Sequence, residues 1–248
     1  MNKRDKRARL DFSRRAELEE YMDAPCSCED LQECLRDLAL MNRLTRAHRP
    51  TMLWLESVLS PRSQNRDLGH PDSGAIKLVD VGCGYGDMLR RIERWAVGRG
   101  IAMELVGIDV NANAIRAARE ATPEASKVRF VLGGACVCVE ADVVTVSGVT
   151  HHLREEQIVQ LLAWMERTAR VGWIITDLHR KPLSYHVFSV LARGPWWHRF
   201  IRPDGMASIR RSFVEEDWAR MCAAAGIDAG AVAIFTHRPA RLCVSRRK

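Results

Sequence analysis

The sequence predicts an α/β protein: a seven-stranded, mostly parallel sheet with helices on both faces, preceded by an N-terminal helical cap. Three observations carry this expectation. From about residue 75 onward, short apolar runs alternate with amphipathic stretches, the pattern of successive βαβ units. The first run, Lys77-Leu-Val-Asp-Val-Gly-Cys-Gly-Tyr-Gly-Asp87, passes through closely spaced glycines into a helical stretch. A second run, Leu105-Val-Gly-Ile-Asp109, ends in an acid about twenty residues beyond the loop, as in doubly wound nucleoside-binding sheets.

Taken in order, residues 1–15 read as a basic tail and residues 16–59 as the helical cap. From Phe12 onward the rhythm is helical, with Leu31, Leu35, Leu38 and Leu44 on or near one face. Residues 60–74 gather Pro, Gly, Ser, Asn and Asp and read as a linker. The main domain occupies 75–248. Its expected strands are Ile76–Val81, Met103–Asp109, Val128–Leu132, Asp142–Ser147, Gly172–Asp177, Ala231–Phe235 and Arg241–Ser245. Between them, Ile158, Leu161, Leu162 and Met165 mark the apolar face of one helix, and Ser212 with Glu215 suggests a capping box at the start of another. Residues 181–211 are rich in aromatic and basic side chains and read either as a packed excursion or as a lid over a substrate.

A length of 248 residues suits one domain with a large core. No run approaches the roughly 18 apolar residues that would suggest a membrane span, and the charged start has no apolar segment behind it, so a cytoplasmic protein is expected. The eight cysteines are scattered and are read as thiols. The pairs Cys26/Cys28 and Cys136/Cys138 are C-x-C rather than C-x-x-C, so no metal site is expected. The net charge of +7 sits at the ends: residues 1–15 and 238–248 each contribute +5 and leave the middle at −3. Two basic ends read as solvated tails rather than a nucleic-acid footprint.

The glycine loop permits a tight strand-to-helix turn and close approach of a ligand to backbone. Asp80 places a carboxylate at the strand end, suited to an ammonium. Asp109 suits a ribose diol. A nicotinamide dinucleotide fits less well, because its fingerprint wants Gly or Ala where Asp87 stands, and an acid at the helix start opposes a pyrophosphate. A ligand with a sugar, a cationic amine and no phosphate fits, and S-adenosylmethionine (SAM) is one.

The order DVGCGYGD, GIDVN, ADVVTVSGVTHHL and IITDLH resembles the class I SAM-dependent methyltransferases, with their Rossmann-like fold, over roughly residues 75–246. It is similar in particular to the small-molecule group that includes the ubiquinone/menaquinone biosynthesis enzymes. The segments YMDAP, MNRL, DLHRKPLSYHVFSVLAR and RPDGMASIRRSF resemble a bacterial subgroup associated with secondary metabolism and polyketide tailoring. The resemblance implies that Asp80, Gly82, Cys83 and Gly84 surround the methionine part of SAM, Asp109 the ribose hydroxyls and Val110 an adenine face. Where relatives often carry an acid after the third strand, this chain has Gly133-Gly134-Ala135, so Gly134 and Ala135 are expected beside the adenine through backbone groups alone. Arg43 either meets the SAM carboxylate or is a surface arginine.

For methyl transfer, His151 and His152 follow the fourth strand, beyond its carboxyl end, where open α/β sheets bind ligands. Either is a candidate base, or one caps the next helix; His179 is the second candidate. Tyr185 and His186 are expected to line an acceptor pocket, and Arg210 or Arg211 to hold an acidic acceptor. The implied activity is O-methylation of a phenolic, quinone-like or polyketide small molecule. Carbon methylation, an RNA acceptor and a catalytically silent SAM-binding protein remain alternatives, as do monomer and homodimer.

Overall fold

The computed structural model describes residues 10–23, 27–59, 74–137 and 140–248. The expected linker, apart from Gly74, lies outside these residues, as do residues 1–9, Cys26 and Cys138.

Seven strands form one sheet in the order β3-β2-β1-β4-β5-β7-β6. They are β1 (Ile76–Val81), β2 (Met103–Asp109), β3 (Arg129–Leu132), β4 (Ala141–Ser147), β5 (Ala169–Leu178), β6 (Val232–His237) and β7 (Arg241–Arg247). Strands β1 to β5 are mutually parallel, and β7 runs antiparallel to β5 and β6. The helices are α1 (Cys28–Leu44), α2 (Arg49–Leu59), α3 (Asp87–Arg99), α4 (Ala112–Glu120), α5 (Glu155–Thr168), α6 (Pro182–Leu191), α7 (Ile201–Arg211) and α8 (Glu215–Ala224).

The period of two along each strand divides the core into two layers. Leu78 and Val143 face α2, α3 and α4 with Leu55, Leu59, Leu89, Ile92 and Ile115. Their chain neighbours Val79 and Val144 face α5 and α8, with Ile158, Leu162, Met165, Trp218 and Met221. The helix marked by Ile158, Leu161, Leu162 and Met165 buries all four.

Several local expectations are corrected. The N-terminal helical rhythm does not begin at Phe12, since residues 14–20 are irregular and the first α-helix starts at Cys28. Of the two N-terminal helices, α1 packs on α4 through Leu31, Leu35, Ala114 and Ala117. The other, α2, belongs to the sheet layer, where Thr51 and Thr176 bring their hydroxyl oxygens to 3.1 Å. The Ser212/Glu215 capping box does not form: α8 begins after Val214, whose N–H donates to Asp217, and the Ser212 hydroxyl donates to Ile209.

The basic ends are not free tails where they are described. Residues 241–247 are strand β7, with Arg246 and Lys248 paired to Glu166. Near the N-terminus, residues 10–23 lie as a strap across α6 and α7. Phe12 meets Tyr185 edge to face, the Ala16 N–H donates to Arg210, and Asp204 accepts the N–H groups of Tyr21 and Met22 at 2.8 and 3.1 Å. Residues 181–211 thus carry two helices, of which α7 packs beside the turn Thr150–His152. Among the described residues, no helix is long and apolar enough to cross a membrane.

Leu162 is fully buried between α5 and the sheet. Leu162→Ala is expected to lower unfolding stability by about 2–5 kcal/mol, read from urea denaturation.

Candidate functional site

The glycine loop closes on its neighbour strand. The N–H groups of Gly82 and Cys83 donate to the Ile108 carbonyl at 2.7 and 3.1 Å, and that of Gly86 donates to Cys83 at 2.8 Å. The Gly84 N–H donates to Asp109 Oδ2 at 2.9 Å, while Asp109 Oδ1 accepts from Asn111. Gly82 has φ +69°, and a Cβ there would lie 2.3 Å from Val149. Gly84 has φ +50° and open space where a side chain would stand. Because these N–H groups are engaged within the chain, the loop offers little to a phosphate; three carboxylates, Asp80, Asp87 and Asp109, face an incoming ligand instead.

Asp80 is buried and accepts the Thr145 hydroxyl at 2.7 Å. Burial, with Asp87 and Asp109 nearby, pushes its carboxyl up to about 7, against the Thr145 hydrogen bond. Asp87 caps the start of α3 and pairs with His48 at 2.9 Å; burial would raise it, but His48 holds it below the usual range. The Cys83 thiol is buried and pushed up by that burial, so only its backbone serves the crevice. Val110 is 77% exposed directly after Asp109, an apolar face without an intramolecular cover. Gly134 opens onto free space, and Ala135 starts a short 3-10 turn.

Beyond the carboxyl end of β4, His151 and His152 sit in a short turn. His151 is buried, with Nδ1 2.7 Å from Asp177 Oδ1. Asp177 also accepts the His151 backbone N–H at 3.0 Å, the Leu178 N–H at 2.7 Å and the Thr150 hydroxyl. Burial would raise Asp177, but His151 and these donors outweigh it and hold the carboxyl well below its usual range. An ionised carboxylate only accepts, so His151 Nδ1 carries a proton, and in the neutral ring this leaves the lone pair at Nε2. That lone pair faces Glu20 of the strap, whose carboxylate lies 3.9 Å from His151 Nε2 and 3.8 Å from His152 Nε2. Arg211 approaches Glu20 at 3.3 Å, and Arg15 donates to the carbonyls of His151 and Arg211.

With this geometry in view, residues 78–172 match the family model described as a methyltransferase domain. These residues form a methyltransferase domain. The fold is the Rossmann-like fold of methyltransferases. Solved structures agree on the fold. The magnesium protoporphyrin IX methyltransferase from Synechocystis PCC 6803, with bound SAH, is 14% identical over 82% of this chain and 83% of that one, with a TM-score of 0.54. An O-methyltransferase described as putative, from Nostoc punctiforme PCC 73102, gives 14%, 93%, 63% and 0.60 in the same order. The plantazolicin methyltransferase BpumL, in complex with a triazolic desmethylPZN analog and SAH, gives 14%, 89%, 98% and 0.54. No curated protein sequence matches the chain.

The crevice of the methyltransferase fits the cofactor on its own terms. Asp80 is a buried carboxylate that accepts the Thr145 hydroxyl, and its remaining acceptor positions suit an amino-acid ammonium. Asp109 uses two of roughly four acceptor positions on the protein, leaving room for a diol. The open space at Gly84 and the exposed Val110 suit a nucleoside against backbone. Arg43 lines a cavity of about 350 Å³ with Ala39, His48, Asp87, Arg91 and Arg94, at the start of α3.

The remaining candidates separate. His179 is buried, and its ring is taken by Glu215 of α8 at 3.0 Å rather than by the His pair; burial keeps it below the usual histidine range despite Glu215. Neither His151 nor His152 caps α5, whose N-cap is Arg154. Tyr185 is buried beneath Phe12, while His186 is exposed on its edge. Of the two arginines, Arg211 reaches Glu20 and His152; the buried Nε of Arg210 has no hydrogen-bond partner among the described residues. The functional geometry missed in the sequence is Glu20, Asp177 and Thr145. Asp177 and Thr145 carried a signal, a polar residue in an otherwise apolar strand, whereas Glu20 carried none.

A carboxyl raised to about 7 that receives an ammonium is expected to make SAM binding pH-dependent. Below pH 7 the carboxyl of the free protein is protonated and must release that proton to receive an ammonium. Each pH unit below 7 is therefore expected to weaken SAM binding by up to about tenfold, measured by calorimetry in buffers of different ionisation enthalpy. Asp80→Asn weakens binding and removes this slope; an unchanged slope in the variant excludes Asp80 as the coupled group.

Proposed function

We propose that the protein methylates an oxygen of a small phenolic, quinone-like or polyketide acceptor. The observation that carries this reading is the His151–Asp177 pair, which presents Nε2 as a base. Gly82 touches Val149, two residues before His151, so base and cofactor crevice share one edge of the sheet. SAM supplies, when bound, a methyl group already activated on a sulfonium.

What remains for the chain is to hold and orient, to exclude water and to accept a proton. Asp80 holds the amine and Asp109 the sugar; Val110, Gly134 and Ala135 border the base, and Arg43 stands toward the carboxylate end. His151 accepts the acceptor's hydroxyl proton at Nε2, and Asp177 stabilises the imidazolium that forms, as a buried carboxylate does for a catalytic histidine. His152, the more exposed of the pair, borders the entry. The strap with α6 and α7 covers this end and brings Tyr185, Phe12 and Arg211 around it, a mixed apolar and cationic wall suited to an aromatic acidic acceptor. His186 and Arg210 line the outer part of the same lid. The basic end that hinted at nucleic acid is largely engaged within the fold, which favours the small molecule.

Incubation with SAM and a panel of phenols, with product mass and NMR read out, tests the proposal; a carbon-methylated product shows the other atom to be the nucleophile. His151→Ala is expected to lower kcat by about 10²- to 10⁴-fold with SAM affinity kept. Asp177→Asn is expected to lose much of that factor, because an amide admits the wrong tautomer. Full turnover in both variants would exclude the pair as the base.

A further inference from the structure

We propose that Glu20, His151 and His152 form a binding site for one divalent first-row transition-metal ion of the Zn²⁺, Fe²⁺ or Mn²⁺ class. One carboxylate oxygen and two imidazole nitrogens from these residues lie within 4.8 Å of one another. Glu20 Oε1 lies 3.9 Å from His151 Nε2 and Glu20 Oε2 3.8 Å from His152 Nε2, both beyond hydrogen-bond reach. Donors bound at about 2.1 Å to a tetrahedral centre stand about 3.4 Å apart. The separations of the three atoms exceed that span by up to about 1.4 Å, so modest side-chain rotations would bring them onto one ion.

Three further features point to a cation. In its neutral form the His151 ring turns the Nε2 lone pair toward the carboxylate of Glu20, itself only 2% exposed, and a cation between them is attracted by both. His151 donates its other ring N–H to Asp177, the carboxylate–histidine arrangement that orients metal-bound imidazoles. The two ring centroids stand 4.2 Å apart, with the planes tilted by 39°. Arg211 approaches Glu20 Oε1 at 3.3 Å and offsets part of its charge. Two nitrogens and one oxygen, with positions left open, suit an intermediate metal rather than Ca²⁺ or Mg²⁺. Because Glu20 comes from the strap and the histidines from the turn after β4, the ion would join the two segments. Binding stands on this geometry alone; an ion here occupies the His151 Nε2 lone pair, so, on the proposed methyl transfer, the metal-bound form withholds the base and the metal-free form accepts the proton.

The test uses the full chain, stripped with chelator and titrated with Zn²⁺ by calorimetry and with Co²⁺ by visible absorption. One ion per chain is expected, with d–d bands and no thiolate charge-transfer band, and with slower tryptic cleavage after Arg14 and Arg15. Glu20→Gln and His152→Gln are each expected to weaken binding at least tenfold, and Asp177→Asn by about 10- to 100-fold; Cys28→Ser leaves it unchanged. Absence of saturable binding, a thiolate band, or unchanged affinity in both Glu20→Gln and His152→Gln overturns the site. SAM calorimetry on the same samples separates the two ideas: SAM binding without metal binding removes this site and leaves the methyl-transfer reading intact, whereas metal binding without methyl transfer to any phenol by the metal-free form does the reverse.

Discussion

The hydrogen bonds that fold the glycine loop onto the end of β2 are the constraint on which the site depends. They fix the carboxylate of Asp109 through the Gly84 N–H and anchor Gly82 and Cys83 on the Ile108 carbonyl. This arrangement leaves the crevice poor in free donors and rich in carboxylates. That imbalance suits an amine and a diol better than a phosphate at the loop itself. The contact between Gly82 and Val149 extends the same constraint to β4, so the turn bearing the histidines is set in place by the loop that would hold the cofactor.

The parallel sheet was legible because its signals are local. Alternation in Leu78-Val79 and Val143-Val144 marks two faces, and the run from Asp80 through Asp87 marks a strand, a turn and a helix in a few residues. The face of α5 was legible for the same reason. What the sequence concealed depends on contacts distant along the chain. Glu20 meets His151 across more than a hundred residues, and no periodicity connects them. Ser212 and Glu215 have the spacing of a capping box, yet Phe213 is buried and takes a bridge to His179, which delays α8 until after Val214. The basic end at 238–248 looked like a tail by charge, whereas Cys243 and Val244 alternate into the core and carry the arginines with them.

The strap and the two lid helices show how polar groups can order an irregular segment. Residues 14–20 have no helical or strand ladder, so their backbone groups need partners elsewhere. Asp204 supplies two acceptors just beyond them, and the carbonyls of His151, Arg211 and Ser212 receive guanidinium donors from Arg15 and Arg180. Arg15 also lies over Phe213 at 4.5 Å, so its stem and charge both serve the packing. These links tie the lid to the same turn that positions His151.

Recognition as proposed, through Asp80, Asp109 and Val110, would concern the amino acid, sugar and base, all of which survive the loss of a methyl group. The demethylated nucleoside would leave the crevice no more readily than its parent arrives, apart from the difference made by the sulfonium charge. Flux through such a protein would then follow the ratio of the two nucleosides in its surroundings more closely than the amount of either one.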